Sequence, residues 1–114
     1  NKAKILILGF SYKENCTDVR NTKIIDIVNF LKKNKCLVTV YDPIANASEA
    51  LKQYKINIKK IISNDITYDA VLIAVKHKLF LKNNFQIIKK KLKSSTIIYD
   101  IHSVLDKKII NRYL

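Results

Sequence analysis

Glycine is almost missing from this chain of 114 residues: Gly9 stands alone. That excludes a phosphate-cradling loop of the G-x-G-x-x-G or G-x-x-x-x-G-K kind, where several bare backbone positions must approach the ligand. Cysteine is nearly as sparse. Cys16 and Cys36 lack C-x-x-C spacing, which removes the common zinc and thioredoxin-type signatures. The two histidines are scattered as well, so no metal site is expected. Two free thiols fit a reducing, cytoplasmic setting. Acidic residues are few, 9 against 22 Lys+Arg, and the formal net charge is +13. No run approaches the roughly 18–20 apolar residues of a membrane span. Lys2 and Lys4 lead into only a short apolar run, so no signal peptide is expected. Methionine is absent and the chain starts at Asn1, which leads us to expect a piece of a longer protein.

What is present is core material. Apolar residues make up 48% of the chain, enough to argue against disorder despite the charge. The length fits one compact domain. Every cation except Arg20 and Arg112 is lysine, and Ile and Asn are abundant beside it, as in AT-rich coding. A reader of nucleic-acid bases uses Arg forks on a clustered stripe, whereas Lys32, Lys33, Lys35, Lys59, Lys60 and Lys89–Lys91 are spread along the chain. The six tyrosines form no stacking array with Arg, so single-strand nucleic-acid recognition is disfavoured. The lysines read as a solvated surface with a general attraction for phosphate-bearing ligands.

Periodicity sets the fold class. Ile5–Leu8 is a short apolar run that reads as a buried strand ending at Gly9. From Lys23 the spacing changes: Ile24, Ile27, Val28 and Leu31 share one helical face, with Asn21 or Thr22 as cap and Asn34 as a left-handed stop. Leu37–Tyr41 is a second strand, ended by Asp42-Pro43. Ser48–Tyr54 is a short helix, and Ile56 and Ile58 alternate with polar residues as in a third, more exposed strand. Ala70–Val75 is apolar throughout, as a parallel strand covered on both faces requires. Residues 82–92 are amphipathic, Thr96–Tyr99 is a further strand, and Asp106 caps a last helix. The alternation predicts an α/β domain: a three-layer, Rossmann-like parallel sheet of about five strands with helices on both faces. Ligands of such sheets sit at the carboxyl ends of strands, where strand order reverses.

The loop after the first strand runs Gly9-Phe10-Ser11-Tyr12-Lys13-Glu14-Asn15-Cys16-Thr17-Asp18-Val19-Arg20-Asn21-Thr22. Between a buried strand and a helix start, it is placed to receive an anion. Lys13 offers a mobile point charge, Arg20 a planar fork, and Asp18 can orient that fork. A plainer reading is equally open: Asp18 and Arg20 form a surface pair worth ~0–1 kcal/mol, and Lys13 is merely solvated. Cys16 reads as a loop-packing thiol and Cys36 as core or near-core. Asp42-Pro43 reads as a turn former rather than a ribose ligand, because the Gly fingerprint is absent. His77 reads as a satisfied structural histidine.

The segment Gly9-Phe10-Ser11-Tyr12-Lys13 followed by Asp18-x-Arg20-Asn21-Thr22 resembles the C-terminal domain of the UDP-glucose/GDP-mannose dehydrogenase family. The Glu14-Asn15-Cys16 insert is most similar to the UDP-N-acetylhexosamine 6-dehydrogenases of bacterial surface-polysaccharide synthesis. The likeness continues in order through Val40-Tyr41-Asp42-Pro43, through Tyr68–Val75 with His77 and Phe80, and through Ile98-Tyr99-Asp100 with Val104-Leu105-Asp106.

The resemblance implies a full-length enzyme that oxidises the C6 alcohol of a nucleotide sugar to a carboxylate in two NAD-dependent steps. An N-terminal Rossmann domain would hold NAD, a middle helical region would carry the catalytic Cys, and residues 1–114 would form a single nucleotide-sugar-binding domain with no catalytic residue of its own. By motif, Tyr12 and Lys13 would contact the UDP-sugar and Arg20 would reach toward NAD, the two cations facing the bound ligand and its oxidant jointly. The family commonly places a basic residue after the last strand; here the stretch is Asp100-Ile101-His102-Ser103, so His102 would stand in for it. Lys78-Leu79 replaces acidic residues that the family favours after His77. The implied partners are a UDP-sugar, the rest of the chain and a homodimer or higher homo-oligomer, with no membrane. Two other classes stay open: a non-enzymatic basic α/β module that binds nucleic acid, and a mainly structural dimerisation domain.

Overall fold

A computed structural model describes residues 2–62, 67–75, 77, 92 and 95–100. Four parallel strands, β1 (Lys4–Leu8), β2 (Leu37–Tyr41), β3 (Ala70–Ile73) and β4 (Ile97–Asp100), form one sheet in the order β2-β1-β3-β4. The register pairs Ile5 with Val38 on one side of β1 and with Ala70 on the other. The chain therefore steps outward from β1 to β2, then returns past β1 to lay down β3. That reversal falls between the carboxyl ends of β1 and β3, the place where sheets of this type open a crevice.

Both faces of the sheet are apolar, as three layers demand. On one face Ile7 and Val40 pack with Ile24 and Val28 of helix α1 (Ile24–Lys33) and with Ala50 of helix α2 (Ala47–Tyr54). On the other, Leu6, Leu8, Val71, Ile73 and Ile98 pack with Tyr68, Ile62 and Leu92. The predicted helices over 82–92 and from Asp106 lie outside the described residues. Helix α1 forms where the apolar spacing puts it. Asp26 in its first turn and Lys32 and Lys33 in its last complement the helix dipole. The N-cap is Lys23, without a side-chain cap bond, and not the expected Asn21 or Thr22; the Thr22 hydroxyl accepts the Ile24 N–H at 3.3 Å from just before it.

Two further local expectations are corrected. The left-handed residue after α1 is Lys35 (φ 66°), not Asn34 (φ −92°). The Asn34 side chain instead donates to the Phe30 carbonyl at 2.8 Å, which holds that residue in the helical sense. Ile56 and Ile58 do not lie in an exposed strand. Both are buried in the cluster that holds Val28 and Val40, so the segment tucks beneath the sheet edge and makes only one bridge, Tyr41 to Lys59. The described sheet thus has four strands rather than about five.

Candidate functional site

Gly9 closes β1 with φ 100°. A Cβ there would lie 2.5 Å from Val75 Cβ and 2.8 Å from Val75 N. Backbone from the end of β3 therefore occupies the ground beside Gly9, and only glycine permits the approach. The loop that follows is knitted from both sides. Asp42, fully buried after β2, accepts from the Phe10 and Ser11 N–H groups through Oδ2 at 2.7 and 3.2 Å. Through Oδ1 it accepts from the Ile44 and Ala45 N–H groups at 2.8 and 2.9 Å. His77, equally buried beyond β3, approaches Asp42 Oδ2 at 2.9 Å. Burial pushes the Asp42 carboxyl up, but the His77, Phe10 and Ala45 donors outweigh it and hold the group below its ordinary value.

The later half of the loop is tied to α2. The Tyr54 hydroxyl donates to the Val19 carbonyl at 2.8 Å, and its ring meets Phe10 edge-on at 5.6 Å. The Asn46 N–H donates to the Thr17 carbonyl at 2.8 Å. Half-buried Cys16 accepts the Asp18 N–H at 3.4 Å, which fits a thiol that packs the loop.

Two clefts open along this edge. One, about 340 Å³, lies at the strand-order reversal and is lined by Ser11, Tyr12, Lys13 and Glu14 after β1, by Ala74 and Val75 after β3, and by Asn21–Ile24 at the start of α1. The other, about 400 Å³, is lined by Thr17–Arg20 with Asn46 and Glu49 of the α2 start. Tyr12 and Lys13 belong to the first, and Arg20 to the second. Tyr12 and Lys13, expected toward the sugar nucleotide, and Arg20, expected toward its oxidant, thus line two neighbouring clefts on one loop. Arg20 is 75% exposed and grips Asp18 with a fork, Nε to Oδ1 and Nη2 to Oδ2 both at 3.0 Å. The guanidinium beside Asp18 holds that carboxyl below its ordinary value and raises the Arg20 group in turn. His102 lies outside the described residues.

Sequence reasoning missed Ser11, Lys23 and Tyr54. Lys23 precedes α1 and adds a second cation to the first cleft; helix-start position was the available signal. Tyr54 meets the loop across 35 residues of chain, and no local pattern announces that. Among the described residues no group of His, Cys, Asp and Glu could hold a metal, and no helix is long and apolar enough to cross a membrane.

Comparison with known proteins matches this architecture. Residues 6–107 match the model of the "UDP-glucose/GDP-mannose dehydrogenase family, UDP binding domain". The chain is 39% identical over 104 residues to a UDP-N-acetyl-D-glucosamine 6-dehydrogenase of Salmonella typhi, covering 90% of this chain and 24% of that protein. It is 36% identical over 110 residues to Protein CapL of Staphylococcus aureus, covering 96% of this chain and 25% of that protein. The solved UDP-N-acetyl-mannosamine dehydrogenase Cap5O of Staphylococcus aureus superposes with a TM-score of 0.69 at 22% identity, over 93% of this chain and 24% of that one, and so shares the fold. The chain spans about a quarter of the length of the curated relatives it matches. A buried sheet, a loop clamped at its strand-order reversal and a family match across nearly all of it agree: this chain belongs to the UDP-glucose/GDP-mannose dehydrogenase family, by its UDP binding domain.

Proposed function

We propose that residues 1–114 form a single domain that binds a UDP-sugar within a longer NAD-dependent UDP-sugar 6-dehydrogenase, which oxidises the C6 alcohol to a carboxylate. The observation that carries this reading is the cleft between the ends of β1 and β3. It combines an exposed aromatic, Tyr12, the ammonium groups of Lys13 and Lys23, and the start of a ten-residue helix. A diphosphate suits the ammonium charges and the helix start, and the phenol ring offers a face to the base or sugar. His102 is the third proposed substrate contact. The names of the relatives favour a UDP-N-acetylhexosamine, with UDP-glucose next, used for surface polysaccharide. Cytoplasmic location and assembly as a homodimer or higher homo-oligomer belong to the same proposal.

The residues described do not make a seat for NAD. The dinucleotide fingerprint needs glycines where Val75 closes on the single Gly9. The acid at the end of β2, Asp42, has both oxygens occupied by backbone N–H groups and His77. NAD is therefore assigned to the remainder of the protein, with Arg20 as this chain's contact toward it, and no chemical step is ascribed to this chain.

Titration of the full-length protein with UDP tests the reading. Lys13→Ala is expected to weaken binding by about 10- to 100-fold, the loss of one charge-assisted contact, while the fold is kept. Unchanged affinity would remove Lys13 from the site. A nucleic-acid module would instead show DNA or RNA binding with a steep logarithmic dependence on salt and indifference to UDP.

A further inference from the structure

Three polar contacts of the His77 ring, with one more of its neighbour Ser11, fix the direction of the bonds. The Asn15 backbone N–H can only donate, so His77 Nδ1, 2.8 Å away, accepts and carries no proton. Nε2 then carries the hydrogen and donates it toward Asp42 Oδ2 at 2.9 Å, with Ser11 Oγ also close at 3.3 Å. The Ser11 hydroxyl is free to receive it because its own hydrogen goes to the Lys13 carbonyl at 2.8 Å. The chain of bonds begins at the amide of residue 15, passes through a fully buried imidazole and ends at the carbonyl of residue 13. It encloses the exposed turn that carries Tyr12, Lys13 and Glu14.

We infer that His77, held as its Nε2–H tautomer, is a positioning residue for the Tyr12–Lys13 contacts to the UDP-sugar. The inference rests on the proposed UDP-binding role of that cleft. His77 does not line the cleft itself. It acts on the loop from behind, through the Ser11 hydroxyl before the presented side chains and the Asn15 N–H after them. Asp42 fixes its ring from the far side, and Asp42 in turn holds the Phe10 and Ser11 N–H groups. A Leu at 77 would fill much of the space, yet it would remove the Nδ1 acceptor from the Asn15 N–H and one of the five donors to Asp42. A Gln would retain one acceptor and one donor on a planar group.

The test uses the full-length protein with UDP as probe, after thermal melting shows each variant folded. His77→Leu is expected to weaken UDP binding by about tenfold or more, as buried partners are lost and the presenting turn loosens. His77→Gln is expected to recover most of that loss, which a purely space-filling role would not produce. The imidazole ¹⁵N spectrum of the unaltered protein is expected to place the proton on Nε2. If His77→Leu folds and binds UDP within twofold of the unaltered protein while Lys13→Ala binds weakly, the inference falls and the UDP-binding reading stands. If Lys13→Ala also binds normally, both fall. If His77→Leu does not fold, the Gln variant and the spectrum decide: a proton on Nδ1, or a folded Gln variant no better than a His77→Ala variant, overturns the inference.

Discussion

At the scale of single residues, Asp42 does the most. One buried carboxylate receives four backbone N–H groups and the His77 ring, and so joins the ends of β1, β2 and β3. Its carboxyl lies below the ordinary value in the folded chain. The stability it adds is therefore complete above the unfolded value of about 4 and is lost as pH falls through the lowered folded value. Denaturant melts from pH 7 downward should show this loss. Asp42→Asn should flatten the acid limb of that curve and cost about 2–4 kcal/mol at neutral pH, because an amide cannot accept on both sides. The sequence showed that Asp42-Pro43 ends a strand and shapes a turn. It could not show that the same side chain reaches across to Phe10 and Ser11, because that needs the parallel register of β1 and β2.

At the scale of elements, local pattern and structure agree where burial is one-sided and periodic. Helix α1 starts within one residue of expectation, and β2 spans the expected Leu37–Tyr41. Disagreement falls where a residue adopts an unusual backbone state for tertiary reasons. With one glycine available, helix exits use lysine: Lys35 after α1 and Lys55 after α2 both have positive φ. Such a residue carries about 1–2 kcal/mol of strain that glycine avoids. Lys35→Gly should therefore stabilise the chain by about 0.5–1 kcal/mol, after the entropy glycine adds to the unfolded state, as a raised denaturation midpoint with unchanged slope would show. The alternation at Ile56 and Ile58 misled for a related reason. Residues two apart in an extended segment share a face, and both side chains do enter one core beneath the edge of β2; what the alternation could not report is that the segment meets β2 through an isolated bridge and not a ladder.

At the scale of the whole molecule, the +13 charge and the clamped cleft act at different ranges. The diffuse lysine field draws any polyanion weakly, and salt screens it over about 8 Å at physiological strength. The cleft acts at contact distance. Weak association of the protein with DNA at low salt should therefore vanish by about 0.2 M salt, whereas UDP binding should fall far less over the same range. Parallel titrations at two ionic strengths separate the two. The family was legible from the loop motif, its order along the chain and the buried strand with its following His. The division of Lys13 and Arg20 between two clefts was not, because residue spacing along a loop does not reveal which way it folds.

The loop from Phe10 to Val19 owes its shape to Asp42, His77 and Tyr54, none of which belongs to it and all of which hold it from the protein side. Its conformational entropy is thus surrendered when the sheet assembles rather than when a guest arrives. The pocket wall is preorganised, so association can proceed as docking onto a standing surface.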